Sequence, residues 1–328
     1  MQTTKQTYLC LVSCILYLAA SAAGAAEVAK DYPNRPIRLI MPNAPGSSTD
    51  TMGRIAATKL GEAFGQQLVV DNRAGAGGVV GMEIGKNAAP DGYTLIVTSL
   101  GALTVSPHIR KNLPYDPIKD YEYVATYSRQ GNVLVVNPTL PIKNVKDLIA
   151  FANAKQGKIF LATAGVGAQS HLNGAQVMLA GKFDSVVVPY KGGGPSMSAV
   201  IANEAQWSIA PSGAMMSHIR AGRLRGIGHT LPTRSPLMGD IPPIAETLPG
   251  YKYIAFSGLL APKGTSKAVI QKINSTMAKV VTSADMKDLL AQQGAEPVTM
   301  TPDEFRKAIA EEIVETGKVV RAIGLKAD

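Results

Sequence analysis

The sequence is short of cysteine, aromatic residues and charge. Its 328 residues include two cysteines, one tryptophan and 17% charged side chains. Both cysteines, Cys10 and Cys14, lie in the first 26 residues, so the rest of the chain has no thiol for a disulfide, a metal site or a nucleophile. Packing alone must stabilise the fold, and 46% hydrophobic residues suffice for one large or two medium domains.

A basic cluster and the motifs of common enzymes are also missing. The net charge is +9, but the basic residues are scattered, so we expect no nucleic-acid partner. No G-x-S-x-G elbow or G-x-G-x-x-G dinucleotide motif occurs. The four histidines, His108, His171, His218 and His229, have no zinc-ligand spacing. We therefore expect a protein that is not an enzyme and has no metal or cofactor.

The first 26 residues have the layout of a cleavable signal peptide. Lys5 precedes an apolar run over residues 9–20, and small residues follow at 22–26. The run is shorter than the roughly 20 residues that span a membrane. We expect export and cleavage after Ala25 or Ala26, whereas a lipoprotein cleavage box ending at Cys14 is the less favoured alternative.

Beyond this segment, short β-rich runs alternate with helical patterns, which is typical of α/β units around a largely parallel sheet. Strands are predicted at residues 37–41, 68–70, 94–98, 133–136, 159–163, 186–188 and 207–210. Helices are predicted from Asp50 with a C-cap at Gly65, over 79–87, 170–180 and 267–281, and from a cap at Thr301.

This order of elements predicts two α/β domains joined by crossings near residues 130 and 254. Domain 1 would comprise residues 27–129 plus 255–328, and domain 2 residues 130–254. Ligands then bind in the cleft between the domains, at the carboxyl ends of the strands.

Short Gly- and Pro-rich segments recur along the chain in an order found in one family of receptors. They include RPI at 35–37, NRAGAGG at 72–78, PDGYT at 90–94, LPYDP at 113–117, AGVGAQSHL at 164–172, VPYKG at 188–192, GLLAP at 258–262 and GAEP at 294–297. The chain resembles the substrate-binding receptors of tripartite tricarboxylate transporters, the Bug family, over essentially its whole length after the leader.

The resemblance implies a two-domain periplasmic binding protein with the type II Venus-flytrap fold and a ligand cleft between two doubly wound domains. It further implies capture of a small di-, tri- or aromatic carboxylic acid in the periplasm, and we expect the protein to be a monomer. The receptor would deliver this ligand to the large and small membrane subunits of a transporter. A ligand-dependent adaptor for a sensor protein is the alternative, and an α/β enzyme is a more distant one.

Helix N-termini offer free backbone N–H groups and a partial positive charge, which suit a carboxylate. In the family, loops before such helices bind carboxylates through amides, hydroxyls and water, and neither loop of this chain contains Lys or Arg. Candidates from domain 1 are Asn43, Pro45, Gly46, Ser47, Ser48, Thr49, Asp50, Thr98 and Ser99. Candidates from domain 2 are Gly165, Val166, Gly167, Ala168, Gln169, Ser170, His171, Tyr190, Gly192, Pro211 and Ser212.

Several of these candidates have a structural alternative. Asp50 either favours the helix dipole as a first-turn acid or shapes the loop. His171 either bonds the loop or touches the ligand, and Gly192 either presents amides or makes a tight turn. Trp207 begins an apolar strand and is expected in the core.

Overall fold

The computed structural model describes residues 31–325, and the predicted signal peptide lies outside this range. Within it, no helix combines the length and apolar character needed to cross a membrane. Two sheets organise the described chain. The first has six strands in the order β11-β4-β10-β3-β1-β2: β1 (Ile37–Met41), β2 (Leu68–Asn72), β3 (Thr94–Val97), β4 (Tyr121–Gln130), β10 (Ala255–Pro262) and β11 (Ala295–Pro297).

The second sheet has five strands in the order β7-β6-β8-β5-β9. Its strands are β5 (Asn132–Val136), β6 (Phe160–Thr163), β7 (Val186–Pro189), β8 (Trp207–Pro211) and β9 (Arg225–His229). Trp207 is fully buried, as predicted, and its indole N–H donates to Ser185 Oγ at 3.0 Å.

Both sheets are mixed, which corrects the expectation of largely parallel sheets. β1 pairs in parallel with β2 and β3, and β6 pairs in parallel with β7 and β8. β10, by contrast, is antiparallel to β3 and β4, and β5 is antiparallel to β8 and β9. β4, β5 and β10 lie next to the points where the chain passes between the sheets, whereas β11 is antiparallel to β4 at the edge of the first sheet.

Helices cover the sheets and connect the parallel strands. They are α1 (Ser48–Phe64), α2 (Val79–Lys86), α3 (Ser106–Ile109), α4 (Val145–Ala154), α5 (Gln169–Gly181), α6 (Gly193–Ile201), α7 (Ser212–Arg220), α8 (Lys267–Thr282), α9 (Ala284–Gln292) and α10 (Pro302–Ala322). The predicted caps are confirmed: Gly65 ends α1 in the left-handed region at φ 65°, and Thr301 and Glu304 form a capping box on α10.

The chain crosses from the first sheet to the second at Gly131, the one residue between β4 and β5, and returns before Ala255. Thr230 ties the two crossings together: its hydroxyl accepts from Asn132 N–H at 2.9 Å and donates to Tyr253 O at 2.7 Å. Each sheet with its helices is called a unit below. The domain limits at 129/130 and 254/255 remain predictions.

Helix α10 belongs to the first unit and packs against α5 of the second. Glu312 on α10 lies beside a small cavity of about 60 Å³ that α5 also lines. Burial raises the pKa of Glu312 to about 7, and the negative charge of Glu315 adds to this shift. Two groups oppose it: Lys252, and the Thr316 hydroxyl, which donates to the carboxylate at 3.4 Å. A carboxyl group at this contact therefore binds its proton more tightly when the chain is folded.

Glu312 should make the stability of the protein depend on pH. The folded chain keeps a proton that the unfolded chain releases near pH 4.5, so its contribution is complete below that value and is lost as pH rises through about 7. Urea unfolding from pH 5 to pH 8 should show a fall of about 2 to 3 kcal/mol that Glu312→Gln removes. Glu311→Gln, at an exposed neighbour, is the control, and equal slopes in wild type and Glu312→Gln would contradict the account.

Candidate functional site

A cavity of about 480 Å³ lies between the two units. Its wall is formed by the loops that follow β1, β3, β6 and β8, and by the strand ends at the crossings. The carboxyl ends of strands from both sheets therefore face one space, where ligands of α/β folds bind.

The wall contains the following sequence-predicted residues: Asn43, Ser48, Thr49, Thr98, Ser99, Gly165, Val166, Gly167, Ala168, Gln169 and Pro211. The remaining candidates lie outside the wall: Pro45, Gly46, Ser47, Asp50, Ser170, His171, Tyr190, Gly192 and Ser212. Ligand contact by these nine residues stays a prediction.

Asp50 shapes the loop between β1 and α1 from behind the wall. One carboxylate oxygen accepts from Gly46 N–H at 2.9 Å and from Arg54 Nε at 3.0 Å, and the other accepts from Asn72 Nδ2 at 2.8 Å. Ser47 caps the helix by accepting from Asp50 N–H at 3.2 Å. The loop is thereby fixed, with Ser48 and Thr49 on its cavity side.

These donors stabilise the ionised form of Asp50. Burial alone would raise the pKa of Asp50, whose exposure is 3%, but the hydrogen bonds from Arg54, Asn72 and Gly46 outweigh burial and lower the pKa. Asp50 is therefore ionised at neutral pH. Its two alternatives prove compatible, because a first-turn acid can also organise the loop before its helix.

Side chains of α5 organise the second loop in the same way. Ser170 Oγ accepts from Ala164 N–H at 2.9 Å, and His171 Nδ1 accepts from Gly167 N–H at 3.1 Å. Gly165 and Gly167 have φ values of 137° and 73°, which only glycine adopts without strain. Burial lowers the pKa of His171, so the ring stays neutral and can accept this bond.

The other candidates outside the wall have structural contacts. Ser212 donates to Gly294 O at 2.8 Å and so joins the two units beside the cavity. Tyr190 packs against the apolar cluster of the second sheet, and Gly192 N–H donates to Ala164 O at 3.2 Å. Pro45 is exposed at the rim.

Sequence reasoning placed the strand end at 98–101 in the cleft but missed the helical segment that lines the cavity over residues 105–110. A π-helical turn, Gly101–Val105, runs into α3 and brings Gly101, Val105 and Ile109 to one face, where Ser106 and Arg110 join them. Neither a glycine-rich loop nor a helix start marks this segment. The signal that could have found it is the strand end at 98–99, since chain leaving that edge of the sheet borders the cleft.

The crossings and a glycine-rich turn supply the other missed residues. Gln130, Asn132 and Tyr253 reach the cavity from the crossings, and Ser48 Oγ donates to Gln130 Oε1 at 3.4 Å. Ala76 and Gly77 line it from the turn before α2, where both have positive φ.

Three polar atoms of wall residues are buried without a hydrogen-bond partner in the part of the chain that the structure describes. They are Asn43 Oδ1, Gln169 Nε2 and Arg110 Nε. Buried polar groups normally have partners, so these three atoms are exceptions to that rule at the cavity wall. No group of three or more His, Cys, Asp or Glu among residues 31–325 is arranged to hold a metal ion.

Comparisons with known proteins agree with this geometry. A protein of R. palustris solved with adipate is 29% identical and superposes with a TM-score of 0.82, over 91% of this chain and all of the other. MatC from Rhodopseudomonas palustris, solved with bound malate, is 27% identical with a TM-score of 0.76, over 88% of this chain and all of the other. The fold is that of the periplasmic binding proteins.

Sequence comparison defines the family. The profile described as the tripartite tricarboxylate transporter family receptor matches residues 52–325. Protein BugT of Bordetella pertussis is 36% identical over 319 residues, which cover 96% of this chain and 98% of BugT. The chain belongs to the tripartite tricarboxylate transporter receptors of the Bug family, which confirms the resemblance.

Asp50→Asn should destabilise the protein, because an amide replaces an ionised acceptor that three donors surround. We expect the free energy of unfolding at pH 7 to fall by about 2 kcal/mol. Chemical denaturation measures this change, with Asp303→Asn, an exposed first-turn acid of α10, as the matched control. A stability equal to that of the wild type would show that the loop does not depend on this charge.

Proposed function

We propose that the protein is a non-catalytic periplasmic receptor that captures a small carboxylate in the cavity between its two units. The observation that carries this proposal is the composition of the wall. Loops at the starts of α1 and α5 enter the cavity from opposite units, and none of the described wall residues is acidic. Helix N-termini attract anions, and a carboxylate there meets no repelling charge.

The two solved relatives support the same ligand class, since one holds adipate and the other malate. In this chain Ser48 and Thr49 would bind the carboxylate from the first unit, and Gln169 with the amides of residues 166–169 from the second. A ligand that contacts both units favours their closed arrangement, because its binding free energy adds to the contacts between them. The hinge would lie at the crossings beside Thr230.

Delivery to a membrane transporter completes the proposal. The family is defined by receptors of tripartite transporters, so the partners would be a large and a small membrane subunit. The closed, liganded protein is the form that such subunits would distinguish from the open one. A periplasmic location follows from this role and from the predicted signal peptide.

Thermal unfolding tests carboxylate capture. Purified protein would be stripped of ligand by partial unfolding and refolding, and then scanned with malate, adipate, citrate and benzoate, with neutral sugars and amines as controls. At 100 times the dissociation constant, a ligand adds about 2.7 kcal/mol, or a shift of roughly 5 to 10 °C.

We expect one class of carboxylate to give this shift and the sugars and amines to give none. A shift with a sugar or an amine, and none with any carboxylate, would overturn the proposal.

A further inference from the structure

Arg110 is the one charged side chain among the described residues of the cavity wall. Its backbone N–H donates to Ser106 O at 3.0 Å, and Arg110 is the C-cap of α3. The helix end therefore fixes the position of its Cα atom. At the other end, Nη2 donates to Ala76 O at 3.0 Å. Because both ends are held, the guanidinium stays at the wall of the cavity.

The positive charge of Arg110 has no counterion in the part of the chain that the structure describes. An arginine keeps its charge at any physiological pH. Its side-chain hydrogen bond goes to the neutral carbonyl of Ala76, and its Nε is buried without an acceptor. Arg110 lines the cavity without a carboxylate beside it, and an anionic group on a ligand would supply the missing counterion.

Arg110 and the start of α1 reach the cavity from different segments of the wall. Ser48 contacts Gln130 beside the crossing, whereas Arg110 contacts Ala76 in the glycine-rich turn. A ligand held by one carboxylate at the helix starts can therefore present a second group to the guanidinium.

We propose that Arg110 binds a second anionic group of the ligand, so that the receptor selects dicarboxylates over monocarboxylates of the same shape. The inference rests on the proposed carboxylate capture and adds to it the number of charges that the site recognises. The planar fork of the guanidinium suits a carboxylate, which it can bind through two parallel hydrogen bonds.

Paired ligands test this inference. Isothermal titration would compare malate, glutarate and adipate with their monoamides, which keep the length and lose one charge. We expect the wild type to bind its preferred dicarboxylate about 10- to 100-fold more tightly than the monoamide. Arg110→Gln should bind the two within about threefold of each other, and Arg110→Lys should give an intermediate ratio.

Arg220→Gln is the matched control. Arg220 lies exposed at the end of α7, so the substitution removes the same charge from the protein without touching the cavity. It should keep the wild-type ratio, which separates a local contact from a long-range effect of net charge. Thermal unfolding without ligand would check that the Arg110 variants fold, and the wild-type ratio tests the inference without any variant.

Two outcomes would overturn the role of Arg110 and leave carboxylate capture intact. In one, the wild type binds diacids and monoamides equally well; in the other, Arg110→Gln keeps the full preference for diacids. Failure of carboxylate capture itself would give a different result, because then diacids, monoamides and simple monocarboxylates would all fail to bind. That result would overturn both the proposed function and the inference.

Discussion

The geometry of the protein depends on a link of one residue. Gly131 separates β4 from β5, so the chain passes from one sheet to the other as two nearly continuous strands. A Cβ at this position would lie 2.8 Å from Leu231, which shows how closely the crossings pack. Thr230 binds both crossings, because its hydroxyl contacts Asn132 and Tyr253. The carboxyl ends of strands from both sheets therefore face one cavity.

Within that frame, each helix start is organised by side chains behind the wall. Asp50 holds the loop before α1, and Ser170 and His171 hold the loop before α5. These residues are polar because the loops need internal hydrogen bonds, and the wall itself is left with amides, hydroxyls and a few side chains. Under the proposed function, such a surface would bind a carboxylate with little side-chain charge, and Arg110 would distinguish one carboxylate from another.

Local signals allowed part of this to be predicted. The strand at 37–41 is a short, mostly apolar run before a polar segment rich in Gly and Pro, and the cap at Thr301 has its Glu304 partner, so neighbouring residues predicted both. The strands Tyr121–Gln130 and Ala255–Pro262 were not predicted, since their pairing joins residues more than 100 positions apart, such as Phe256 and Arg129. Arg110 was missed for the same reason: its contact with Ala76 is created by tertiary structure.

The central claim is that one carboxylate is held from both units at the starts of α1 and α5. A crystal structure of the protein with the carboxylate that it binds most tightly tests this claim most directly. The account predicts a carboxylate group within hydrogen-bonding distance of Ser48 or Thr49 and of the loop at 166–169 in the same molecule. A ligand that contacts only one unit, or that lies outside the cavity, would contradict it.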